Sequence, residues 1–97
     1  MTWEKFKESL LERAIPQSMS GYLQALWYDA TGDWVKAHHV IQDMDDKTAA
    51  SIHAYLHRKE GDVGNADYWY RKAGRKKPSI SLEQEWESLT KELINEK

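Results

Sequence analysis

The chain contains no cysteine, which excludes disulfides, thiolate zinc sites and cysteine nucleophiles. It also lacks any apolar run near the roughly 20 residues that cross a bilayer, and its start, MTWEKFKESLLER, has no apolar stretch of the kind found in signal peptides. The net charge is only −2, which argues against a general binder of nucleic acid or acidic membranes. We therefore expect a cytoplasmic protein without a membrane or nucleic-acid partner.

Purely apolar aromatic rings are also scarce, because Phe6 is the one phenylalanine beside five tryptophans and five tyrosines. Rings that carry an N–H or O–H group favour half-buried positions, where that group finds a partner. The chain is 40% hydrophobic and 31% charged over 97 residues, a composition typical of one globular domain. These features predict amphipathic surfaces rather than a thick apolar core.

Apolar residues recur at helical spacing, and almost no segment alternates as a strand does. We predict an all-α chain of about six helices. The second helix, from Ser18 to about Thr31, is apolar nearly all round and is expected to lie centrally. On the fifth helix, one side is expected to carry Val63, Ala66, Trp69, Tyr70 and Ala73. The predicted N-caps are Thr2, Ser18, Asp33, Asp46, Asp62 and Ser81, the last forming a capping box with Gln84.

The central part of the chain contains an internal repeat. Gly32-Asp33 and Gly61-Asp62 lie 29 residues apart, and each pair ends one predicted helix and caps the next. The alanines around them match in spacing: Ala25 and Ala54 precede the two pairs, and Ala37 and Ala66 follow them. Each copy therefore predicts two helices joined by a tight turn, with small residues where the helices approach.

The second copy, with Ala54, Gly61, Asp62, Ala66, Tyr70, Ala73 and Pro78, resembles the tetratricopeptide repeat, a helical hairpin that stacks into a superhelix. The resemblance covers residues 47–80 closely and 18–44 less closely. It implies one helical-repeat domain over residues 1–97, with hairpins at 18–44 and 47–80 and a capping helix at 81–95. HAYLHRKEGD followed by NADYWYRKAGR also resembles small bacterial proteins of unassigned role, which implies no activity.

The resemblance further implies a concave surface formed by the first helix of each copy. Its expected binding residues are Tyr22, Asp29, Ser51, Tyr55, Arg58 and Lys59. Tyrosine rings beside fixed cations suit an extended peptide or an anionic group. The preferred function is therefore a non-enzymatic interaction module that binds a short protein segment in a Tyr- and Arg-lined groove, and a homo-oligomer is compatible with it. The alternative is an ordinary solvated face.

Two histidines, His53 and His57, lie four residues apart and fall on one helical face. The resemblance implies that both are buried, as core histidines bonded to neighbours such as Tyr70 or Asp67. The alternative is a polar pocket that binds a small molecule or a metal ion, as part of an enzyme or not. That pocket would comprise His38, Gln42, His53, His57 and Asn65, and a metal would need a third ligand from His38, Glu60 or Asp67. The sequence assigns no catalytic residue, metal ligand or cofactor.

Five cations crowd the end of the fifth helix. They are Arg71, Lys72, Arg75, Lys76 and Lys77. Cations at a helix C-terminus complement the helix dipole, and contact with phosphate or RNA is the alternative. The last helix is rich in glutamate and offers these cations an acidic neighbour.

Overall fold

The computed structural model describes residues 1–95 and contains six helices, with no strand in that range. The all-α prediction is therefore confirmed. The helices are α1 (Trp3–Glu12), α2 (Gly21–Ala30), α3 (Trp34–Ile41), α4 (Lys47–Glu60), α5 (Val63–Lys72) and α6 (Leu82–Ile94). Within the described part of the chain, none of them has the length and apolar character needed to span a membrane.

Five of the six predicted N-caps are observed, each accepting a hydrogen bond from a first-turn amide. The predicted cap Ser18 is wrong, because Ser20 caps α2 by accepting from the Leu23 amide. Met19 precedes the helix and is buried, and the Gln24 side chain donates to its carbonyl. The buried Met19 therefore anchors the chain before the helix begins.

The central placement of α2 is confirmed by its neighbours. It packs against α3, α4 and α6, while Leu23 and Trp27 join the buried Phe6 of α1 in one apolar cluster. The indole of Trp27 also donates to the Ser9 hydroxyl of α1. α2 is thus covered on more than one side, as a helix without a polar face must be.

The last helix, α6, packs across α2 and α4. Its buried Glu85 accepts hydrogen bonds from Arg58 at 2.8 Å and from the Tyr70 hydroxyl at 2.7 Å. The indole of Trp86 donates to the Leu26 carbonyl at 2.9 Å. These contacts join α6 to α2, α4 and α5, so the side of α2 and α4 that was expected to be an open concave surface is covered by the chain itself.

The predicted inner side of α5 is correct except at one residue. Ala66, Tyr70 and Ala73 are buried, whereas Val63 is 54% exposed. Val63 is the first residue of α5 and follows the turn at Gly61, where α4 has already ended. Because no part of α4 extends past this turn, the first residue of α5 stays in solvent.

We expect Ala66→Leu to destabilise the protein by about 1–3 kcal/mol. Ala66 is 1% exposed and packs with Ala54 and Tyr70, so a larger side chain would push α4 and α5 apart. Urea unfolding measures the change. Val63→Leu on the same helix adds volume at an exposed position and should stay within about 0.5 kcal/mol of the wild type. Equal stability of the two variants would contradict a close helix contact at Ala66.

Arg58→Ala should destabilise by about 2–4 kcal/mol, because it leaves the buried Glu85 carboxylate without its cation. The Arg58 side chain is only 17% exposed, and it also donates to the Ile80 carbonyl. Arg75→Ala is the matched control. Its pair with Glu92 also joins α6 to the preceding segment, but both side chains are about half exposed, so less than about 1 kcal/mol is expected. Similar losses in both variants would mean that burial of the Arg58 pair has no energetic effect.

Candidate functional site

The predicted binding residues of the concave surface make hydrogen bonds to one another and to neighbouring helices. Asp29 is 2% exposed, and its carboxylate accepts from the Tyr55 hydroxyl at 2.7 Å and from the Lys59 ammonium at 2.9 Å. Burial, and then the bond to Asp29, raise the pKa of the Tyr55 hydroxyl, so this group stays protonated and acts as a donor. The network fixes α4 against α2.

The other three residues of this set also have partners within the chain. The Tyr22 hydroxyl donates to Asp46 at 2.6 Å and is the main cause of the lowered pKa of that carboxyl. The Ser51 hydroxyl donates to the Lys47 carbonyl, and Arg58 holds Glu85. Tyr55, Arg58 and Ser51 therefore contribute to the interior contacts of α4, and a role for them in partner binding stays a prediction.

Two depressions do reach solvent at the edge of this network, one on each side of Trp86. We call the first the cleft, of about 390 Å³, lined by Asp29, Ala30, Tyr55, Lys59, Leu82, Glu83 and Trp86. We call the second the trough, of about 410 Å³, lined by Trp3, Lys7, Leu10, Leu11, Glu83, Trp86 and Glu87. Because Glu83 and Trp86 line both, the cleft and the trough are neighbours, and we call the two together the groove. Three of the six predicted binding residues line its cleft.

The groove is apolar with charged rims. Leu11 is 87% exposed although it lies beside the rings of Trp3 and Trp86, whose centroids are 5.9 Å apart. The Glu83 carboxylate is exposed and forms no ion pair with any residue in the range 1–95. Apolar surface and an unpaired anion thus lie together over Trp86.

On another part of the molecule, three histidines from α3 and α4 form a cluster. His53 and His57 are 5% and 7% exposed, which confirms the expected burial. Nε2 of His38 lies 2.9 Å from Nε2 of His53, and Nδ1 of His57 lies 2.6 Å from the Glu60 carboxylate. The expected partners Tyr70 and Asp67 are not used, since the hydroxyl of Tyr70 donates to Glu85.

Two members of the predicted polar pocket lie outside this cluster. The Asn65 side chain donates to Asp62, the residue that caps α5. The Gln42 amide pairs with Nδ1 of His39 at 3.2 Å, on the exposed side of α3. The structure therefore brings together His38, His53 and His57, and it places Gln42 and Asn65 in local contacts near the helix ends.

Indole rings hold two of the imidazoles in place. Trp34 stacks on His38 with centroids 5.0 Å apart, and Trp69 stacks on His53 at 3.9 Å. The role of Trp69 was not predicted. The contact between Ala54 and Ala66 could have indicated it, because this contact sets the register of α4 against α5 and brings Trp69 opposite His53.

Two of the three imidazoles, His38 and His53, favour the neutral form at neutral pH because their pKa values are lowered. Burial is the main cause that lowers the pKa of His53 to about 4, and the neighbouring His38 and His57 lower it further. Burial also lowers the pKa of His38. Each neutral ring keeps one nitrogen lone pair, which can accept a proton or bind a metal ion.

Comparison of the chain with protein-family models, curated proteins and solved structures finds no match. The likeness to tetratricopeptide repeats therefore stays a prediction from the sequence.

We expect the chelator-treated protein to lose stability as the pH falls from about 7.5 to 5. The folded-state pKa of His53, about 4, lies below its ordinary value of 6.5, so the unfolded chain binds the extra proton in this range. The loss from His53 should be on the order of 1–2 kcal/mol. Urea unfolding at both pH values measures it. His53→Asn should flatten the pH dependence and the exposed His39→Asn should not. If stability depends equally on pH in the wild type and in His53→Asn, the low folded-state pKa of His53 is wrong.

Proposed function

We propose that the protein is a non-enzymatic interaction module that binds a short segment of another protein in the groove over Trp86. The observation that carries the proposal is the adjacency of the cleft and the trough, which share Glu83 and Trp86. An extended segment can lie in both at once, and concave apolar surfaces with few polar groups are usual binding sites. The site differs from the groove expected from the sequence, because α6 forms one of its walls.

Two of the side chains that line the groove are held by contacts within the chain. The Trp86 ring is fixed by its hydrogen bond to the Leu26 carbonyl and by its contacts with Trp3 and Phe6. Lys59 is fixed by Asp29. Binding to a preformed surface costs less conformational entropy than binding that must order the site, and tryptophan is enriched among residues that dominate binding energy.

The chemistry of the groove specifies the kind of segment. Leu10 and Leu11 beside Trp3 favour an apolar side chain in the trough. The unpaired Glu83 between the two depressions favours a lysine or arginine next to it. We therefore propose a segment in which an apolar residue adjoins a basic one.

Selection of a displayed peptide library on the wild-type protein tests the proposal. Selected peptides should combine an apolar residue with a neighbouring lysine or arginine, and calorimetric titration gives their affinities. Glu83→Lys and Leu11→Glu should each weaken binding by about tenfold, which is about 1.4 kcal/mol. Both side chains are exposed, so thermal melts should stay close to that of the wild type.

Asp43→Lys is the control, because Asp43 is an exposed acidic residue between α3 and α4, outside the groove. It makes the same change of charge and should leave affinity unchanged. A library without binders, or peptides whose affinity is indifferent to Glu83→Lys and Leu11→Glu, would refute the groove. So would sedimentation showing that a second copy of the chain occupies it.

A further inference from the structure

The three clustered histidines bring nitrogen donors close enough together to be candidate ligands of one metal ion. One donor atom from each of His38, His53 and His57 can be chosen so that all three lie within 4.8 Å of one another. The rings of His53 and His57 stack at 4.9 Å with an interplanar angle of 21°, and the ring of His38 stands at 77° and 72° to them. Two parallel rings from one helix thus face a third ring from another.

The spacing suits ions of the size of Zn²⁺. Zinc–nitrogen bonds of about 2.0–2.1 Å in a tetrahedral site place neighbouring nitrogens roughly 3.3 Å apart. Nε2 of His38 and Nε2 of His53 are 2.9 Å apart, so small rotations of the two rings would admit the ion.

Neighbouring side chains hold the three imidazole rings in place, as residues around the ligands do in metal sites. Nδ1–H of His57 donates to Glu60 at 2.6 Å, so Nε2 is the nitrogen of that ring that can serve as a metal ligand. Trp34 holds the plane of His38, and Trp34 is itself fixed because its indole donates to the Leu56 carbonyl. Trp69 holds the plane of His53 in the same way.

We propose that His38, His53 and His57 bind one transition-metal ion of the Zn²⁺ type, with Glu60 as the positioning residue of His57. Three imidazole donors favour Zn²⁺, Co²⁺, Ni²⁺ and Cu²⁺ over Mg²⁺ and Ca²⁺, which prefer oxygen ligands. Three protein ligands leave a fourth position of a tetrahedral ion for water or another exchangeable ligand. The ion joins α3 to α4 and so links the α2–α3 pair to the α4–α5 pair.

Metal titration of the chelator-treated protein tests the site. We expect one equivalent of Zn²⁺ by calorimetry, a rise in melting temperature, and visible absorption from Co²⁺ in a low-symmetry nitrogen site. Cu²⁺ should quench tryptophan emission, since Trp34 and Trp69 stack on ligand rings. Mg²⁺ and Ca²⁺ should produce none of these changes.

Single substitutions locate the ion. His38→Asn should weaken Zn²⁺ binding by about 100-fold or more, and this half-buried position lets the variant fold, which a thermal melt checks. His39→Asn removes the exposed neighbouring histidine and should bind as the wild type does. Glu60→Gln should weaken binding by about tenfold and keep the Co²⁺ spectrum, because outer partners contribute on the order of 10–100-fold.

Three results would overturn the proposal. The first is no binding of Zn²⁺ or Co²⁺ by the wild-type protein. The second is equal affinity in His38→Asn and wild type. The third is binding of the ion at a neighbouring group instead, formed by His57 and the exposed carboxylates of Glu60 and Asp62, whose donor atoms are also close together. An ion there would lose affinity in Glu60→Gln and be indifferent to His38→Asn.

Discussion

The burial of α4 is the constraint on which the rest of the structure depends. From Ala49 to His57 every residue of this helix is buried, and several of them are polar. A polar group removed from water costs free energy unless it finds a partner, and in residues 1–95 no buried side-chain nitrogen or oxygen lacks one. The neighbouring helices are therefore positioned by what the polar side chains of α4 need: Asp29 of α2 serves Tyr55, and His38 of α3 serves His53.

The position of α6 follows from the same requirement. The Arg58 side chain lies on the side of α4 where a repeat protein would have its concave surface. There it donates to the Glu85 carboxylate of α6, which also accepts from the Tyr70 hydroxyl. Burial and the bond to Glu85 raise the pKa of Tyr70, so its hydroxyl donates and does not compete as an anion. Because α6 lies across α2 and α4, it covers most of their shared surface. The groove over Trp86 remains open at the edge of the contact between α6 and these two helices.

Local chemistry explains what the sequence could predict. Caps such as Asp33, Asp46 and Asp62 act within three residues of themselves, so a short window contains the cause of each helix start. The shared face of His53 and His57 likewise follows from helical spacing alone. The Asn65 side chain also acts locally, since it donates to Asp62, the cap of its own helix.

The features that the sequence could not predict depend on contacts between residues that are far apart in the chain. Glu85 lies at the centre of the apolar spacing of Leu82, Trp86 and Leu89, which indicates that it is buried but not that Arg58 and Tyr70 bind it. His38 is 15 residues from His53, and only the packing of α3 on α4 brings them together. Helical spacing therefore places His53 and His57 on one face, whereas His38 could be named from the sequence only as one of several candidate partners.

The buried carboxylates and the clustered histidines have different kinds of partners within the chain, and these partners determine what each group can still bind. Asp29 and Glu85 each have a cation and a tyrosine hydroxyl as partners, so their charge is neutralised within the chain. The imidazoles contact one another and two indole rings, and Glu60 is the carboxylate that pairs with one of them, His57. A proton added to His53 meets little water and two neighbouring imidazoles, which is why the pKa of His53 is low. A divalent ion differs from a proton because it accepts three lone pairs at once, so the arrangement that resists protonation is the one that favours a metal.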